Sequence, residues 1–159
     1  MLSDYYLWIK LLHILSAVIV MGTGTGIAFF MFVASRTNNV EAIAVTTKHV
    51  VLADWLFTAP AVVTQFISGA LLVYILGYSL TSAWVVSVLI LFCLVGCLWL
   101  PVIKIQYGLK AEAQLSREQG SLTVRFKHLM KWWTILGIPA FTIMLGIFYL
   151  MVFKPLPVY

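Results

Sequence analysis

Tyr6 to Val33 reads YLWIKLLHILSAVIVMGTGTGIAFFMFV, an apolar run longer than the about 20 residues a helix needs to cross a hydrocarbon core. Its basic side chains are Lys10 and His13, one turn apart, and a GTGTG run follows them. An ionisable group at membrane depth is costly enough that it is kept turned toward protein and given a task. His13 is therefore the first residue of functional interest.

Composition agrees with a membrane solvent. The 159 residues are 63% hydrophobic and only 9% charged, with mean hydropathy +1.05, too little polar surface to coat a water-soluble domain. The net charge of +5 is explained by basic loops that set membrane topology, so no nucleic-acid partner is expected. Cys93 and Cys97 lie one helical turn apart within an apolar run and read as packing residues rather than a disulfide or a metal pair. The beginning of the chain carries Asp4 instead of a basic region, and its apolar run is too long for a cleaved signal peptide. It is expected to remain as the first helix.

The pattern predicts an all-α, integral membrane four-helix bundle in a single domain over 1–159, with helices at about 6–33, 49–76, 83–105 and 132–153. The stretch SRTNNVEA should separate the first two, and Gly77-Tyr78-Ser79 the next two. The segment 106–131 reads as a cytoplasmic polar linker that begins helically at LKAEAQLSRE and turns at Gly120. Arg36, Lys48, Lys104, Lys110, Arg117, Arg125, Lys127 and Lys131 all fall in or beside the first and third connections. The positive-inside rule then puts both termini on the non-cytoplasmic side. A multi-pass protein of the bacterial inner membrane is the expected setting.

Depth separates the three histidines. His13 lies about 10 Å from the bilayer centre, inside the hydrocarbon region, whereas His49 and His128 are near helix ends and can reach the interface. At about 100° per residue, Lys10, His13, Ala17, Met21, Gly24, Ala28 and Met31 share a stripe. Gly22 and Gly26 lie nearly opposite, in a small-xxx-small arrangement. The glycines either permit close packing between two neighbouring helices, the simpler reading, or leave room beneath His13 for a flat ligand. In the second helix Asp54, Ala61, Gln65, Ser68 and Leu72 share a side. Pro60 is expected to kink that helix and free a carbonyl. Asp54 is expected to pair with Lys48, Lys104 or His128.

The GTGTG run lies inside an apolar helix rather than after a strand, and zinc spacing, HExxH and a nucleophile elbow are missing, so nucleotide-driven and hydrolytic chemistry falls away. A histidine buried in a membrane bundle can relay protons, hydrogen-bond a neighbour, or serve as axial ligand of haem iron. Lys10, one turn outward, can snorkel to a haem propionate or a lipid phosphate.

Over WIKLLHILSAV, the GTGTG run, VVLADWLFTAPA, LWLPVIKIQ, MKWWTILGIPAF and FYLMVFKP, the chain resembles a bacterial family of predicted integral membrane proteins of unknown function (DUF twenty-two sixty-nine). More distantly, YLWIKLLHILSAV resembles the first helix of the HemJ-type protoporphyrinogen oxidases, and LHxLSAxxxxG the copper-resistance D family. The HemJ resemblance implies a haem b bound through His13. It does not extend to the arginine and histidine that follow in that family, where this chain has IAFFMFVASRT. The expectation is a membrane bundle binding haem b, with His13, Lys10, Met21 and Gly24 as cofactor-binding residues and His13 as axial ligand. It would take part in electron transfer or a membrane-linked oxidation, with a quinone or other redox partner. A second axial ligand would come from a methionine, from Tyr74 or Tyr149, from water, or from a homodimer partner. Two other classes compete: an accessory subunit of a larger membrane complex, and a carrier for a small molecule or ion that uses the Asp54 to Gln65 stripe.

Overall fold

A computed structural model of the chain describes residues 2–157. After a single 3₁₀ turn, Leu2–Tyr5, come five α-helices that make four apolar spans: α1 Tyr6–Arg36, α2 Val40–Ala53 continued by α3 Ala59–Ile75, α4 Ala83–Gln119, and α5 Val124–Phe153. Each span is long and apolar enough to cross a membrane. α1 alone, with 31 residues, extends about 46 Å at about 1.5 Å per residue, beyond a core of about 30 Å. Its ends therefore reach headgroup depth.

The helices outrun the apolar segments that reveal them. α2 begins at Val40, not near 49, because the Asn39 side chain accepts from the main-chain N–H groups of Glu41 and Ala42 and starts the helix there. α4 continues through 106–119, where Lys, Ala, Glu, Gln and Leu favour helix without needing lipid, and stops at Gly120, whose φ of 71° suits a residue without a Cβ. Thr123 caps the Phe126 N–H and starts α5 at once. The polar segment between the third and fourth spans is thus a tight turn over 120–123 between two protruding helix ends.

α2 and α3 are joined by a π-helical turn, Asp54–Thr58. Its cause lies in Pro60, which has no N–H to donate and whose ring crowds the preceding turn. The Ala59 N–H reaches back five residues to the Asp54 carbonyl, so one extra residue is accommodated in the turn.

The connections α1–α2 and α4–α5 lie at one end of the bundle, which carries most of the Lys and Arg and is called the basic end. The opposite, terminal end carries the start of α1, the end of α5 and the α3–α4 turn. The buried core sits in the basic half: Ile27 and Met31 of α1, Ile43 and Val50 of α2, Val102 and Leu109 of α4, and Phe126 and Trp133 of α5 pack together. There all four spans contribute. Ion pairs close that end, Arg117 Nε to Glu41 Oε1 at 2.8 Å and Arg125 Nε to Glu112 Oε1 at 3.5 Å. In the terminal half α1 packs along α3, and α4 along α5. The second pair is latched where Trp84 Nε1 donates to the Leu150 carbonyl at 2.7 Å and Lys154 Nζ to Tyr78 Oη at 2.7 Å. Phe66 of α3 stacks on Phe92 of α4 at 6.0 Å between centroids.

Candidate functional site

His13 is half-buried in the seam between α1 and α3. Its Nδ1 lies 3.0 Å from Ser68 Oγ and its Nε2 lies 3.0 Å from Gln65 Nε2. Ser68 Oγ–H donates to the Thr64 carbonyl at 2.6 Å, so its oxygen is left to accept from Nδ1–H. The Gln65 amide then donates to Nε2, and Gln65 Oε1 accepts from Ser16 Oγ–H. This pattern assigns the neutral Nδ1–H tautomer. Ser16 Oγ is also 2.9 Å from the His13 carbonyl, an alternative acceptor for its proton. Ser16 and Ser68 are buried.

Spacing makes this possible. His13 and Ser16 are three residues apart on α1, and Gln65 and Ser68 three apart on α3, so each helix presents a pair on one face. Gly69 sets the approach: a Cβ there would stand 3.1 Å from His13 Cε1, closer than a side chain tolerates without displacing the ring.

The remaining predicted cofactor residues are not gathered around the ring. Lys10 is exposed, its Nζ 5.7 Å from the Tyr6 ring centroid. Met21 is half-buried and Gly24 exposed. A methyl group added at Gly22, Gly24 or Gly26 would meet nothing within 4 Å, so the GTGTG run does not mediate close packing inside this chain. The glycines that do are Gly69, against His13, and Gly108, where a Cβ would stand 3.0 Å from Leu129 Cδ1 of α5; the sequence pattern singled out neither. A haem does not fit the cluster as it stands: both His13 nitrogens are engaged by α3, and Gln65 occupies the direction from which iron would approach Nε2.

Asp54 departs from its expected pairing. Lys48, Lys104 and His128 are exposed, and His128 Nε2 accepts instead from Trp132 Nε1 at 3.0 Å. The π turn also separates Asp54 from the polar residues of its predicted stripe. It takes up about 100° of helical phase, so Gln65 and Ser68 face α1 while Asp54 faces α4. There Asp54 lines a cavity of about 10 Å³ with Trp55, Ala59, Trp99, Ile103 and Gln106, about the space one water molecule occupies. Asp54 Oδ2 and Thr58 Oγ1 are buried without a partner at full hydrogen-bond geometry among the described residues, and the Thr58, Gln106 and Trp99 side chains stand next to the carboxyl. Trp55 Nε1 turns away to donate to Tyr107 Oη at 2.8 Å.

The two polar sites therefore occupy different depths and different helix seams of one bundle. Comparison with curated proteins returns no match, and neither does comparison with solved structures. A family model described as "Predicted integral membrane protein (DUF2269)" matches residues 7–155, from the first turn of α1 to just past the end of α5. The sequence and the four apolar spans agree, and the chain belongs to that family of integral membrane proteins.

Proposed function

We propose that the protein is a carrier for protons, or for a small solute moved with them, with His13 as the group that takes up and releases the proton and the basic end toward the cytoplasm. The observation that carries this reading is the reversibility of the His13 cluster. With neutral His13, Gln65 donates to Nε2 and accepts from Ser16. With the imidazolium, Nε2 becomes a donor. A half-turn of the Gln65 amide then presents Oε1 to it, while the NH₂ group donates to Ser16 Oγ, whose proton rotates to the His13 carbonyl. Both protonation states are satisfied with no movement of the backbone. A buried polar site that serves only one state would strand a donor or an acceptor in the other. Asp54, buried with one carboxyl oxygen lacking a partner at full hydrogen-bond geometry, supplies a second group at membrane depth able to hold a proton, in keeping with the functional weight of intramembrane ionisable residues.

The test is proton uptake by proteoliposomes containing a trapped pH-sensitive dye and driven by a potassium diffusion potential. Wild type should acidify the lumen, His13→Ala and Asp54→Asn should reduce the rate to that of empty vesicles, and Ser68→Ala should fall between. Wild-type vesicles no faster than empty ones would overturn the reading for protons. A visible spectrum of the same preparation separates the haem expectation, because a Soret band lost in His13→Ala would put iron on the ring in place of Gln65.

A further inference from the structure

The last turn of α1 and the first two turns of α5 stand apart at the basic end and leave a groove of about 370 Å³. Arg36, Lys127 and Lys131 line it together with Asn38, and Phe32 and Phe126 belong to its apolar wall. None of the three cations is ion-paired to a carboxylate among the described residues. Glu41 is committed to Arg117 and Glu112 to Arg125 and to Thr123 Oγ1, and Glu118, at the end of α4, does not line the groove. Arg36 is steered into place by its own helix, its guanidinium 4.7 Å from the Phe32 ring centroid. Asn38 sits at φ 54° in the α1–α2 turn, so its side chain flanks the groove from the connection and not from a helix face.

We infer that this groove binds an anionic phospholipid, with the phosphate between Arg36, Lys127 and Lys131 and one acyl chain along Phe32, Leu122 and Met130. Three features converge on that occupant. The charge is of one sign and uncompensated, which calls for an anion. The wall is apolar, with Phe32, Leu122 and Met130 accessible along it, which a free phosphate does not need. The length of α1 brings Arg36 to headgroup depth, where basic clefts between membrane helices meet lipid phosphates. The inference is independent of any role for His13.

Native mass spectrometry of the full chain in dodecyl maltoside, titrated with mixed micelles of phosphatidylglycerol and phosphatidylcholine, tests it. The wild type should retain phosphatidylglycerol and release phosphatidylcholine. Each of Arg36→Gln, Lys127→Gln and Lys131→Gln should weaken retention about fivefold, and the triple variant on the order of a hundredfold. A control triple variant outside the groove, Lys48→Gln with Lys104→Gln and Lys110→Gln, should retain the lipid as wild type does. Equal loss in the control would reduce the effect to net charge and overturn the site. Equal retention of phosphatidylcholine, or displacement of the lipid by millimolar inorganic phosphate, would overturn the anionic-lipid assignment. The single variants keep the test decisive should the groove triple variant fail to fold.

Discussion

The two halves of the bundle solve the same packing problem in different ways. In the basic half, four spans meet around Phe126, Met31, Ile43 and Leu109, each almost wholly buried, and helix caps and ion pairs finish the connections. In the terminal half, the helices associate as pairs. The α1–α3 pair is held by a polar cluster, His13 with Ser16, Gln65 and Ser68, while large side chains such as Leu12, Leu15 and Val18 face outward. In lipid, outward apolar side chains lose nothing, since the solvent is as apolar as they are. Close packing and directional hydrogen bonds are what hold such helices together. One half is specified mainly by shape and the other by hydrogen bonds centred on an imidazole.

That contrast can be broken by mutation. The largest effect is expected for Phe126→Ala, which empties the centre of the packed half: a loss of about 3–5 kcal/mol, read from unfolding in detergent, with the His13 cluster intact in the fraction that stays folded. Next is Gly69→Val, which drives a branched side chain into the His13 ring. It should cost about 1–3 kcal/mol and abolish proton uptake together. A variant that kept full uptake would show that the α1–α3 approach is not needed for function. Gln65→Leu removes the partner of Nε2 and of Ser16, with a cost of about 0.6–2 kcal/mol for an interhelical hydrogen bond in a membrane; uptake should fall much further than stability does. Smallest is Gly24→Ala, where the added methyl meets open space. The change should raise stability by at most about 1 kcal/mol through helix propensity, and a marked destabilisation would mean that this face of α1 is covered by another molecule.

The sequence made some of this legible. Apolar run length located the four spans, and Pro60 marked the irregularity in the second. The stripe from Asp54 to Ser68 picked out Gln65 and Ser68, which hydrogen-bond His13, and the buried Asp54. What it hid was phase. A wheel at one fixed angle places Asp54 with Gln65, because nothing in a single-residue pattern announces that five residues will be spent on a wider turn. The turn at Gly120 was legible, but the starts of the second and fourth helices were misplaced for a related reason: hydropathy measures depth in the membrane, while a helix starts where a cap is available, at Asn39 and Thr123. Gly69 was overlooked because an isolated glycine among apolar residues looks ordinary until the imidazole opposite it is known. The GTGTG run drew attention by repetition, yet those positions are open within this chain.

The π turn carries a further consequence for how the second span tolerates change. α2 and α3 act as two keyed shafts on one axis, locked at an offset of about 100° by the extra residue in Asp54–Thr58. Deleting one residue from DWLFT would let the helix run through in regular register. The α2 face would stay seated against α4, and Gln65 and Ser68 would swing off the His13 seam. A single-residue deletion there would be nearly silent in composition, hydropathy and span length, yet would disconnect the two polar sites' host helix from α1. Across this span, insertions and deletions act as rotations, and the angle between Asp54 and Gln65 is itself an inherited quantity.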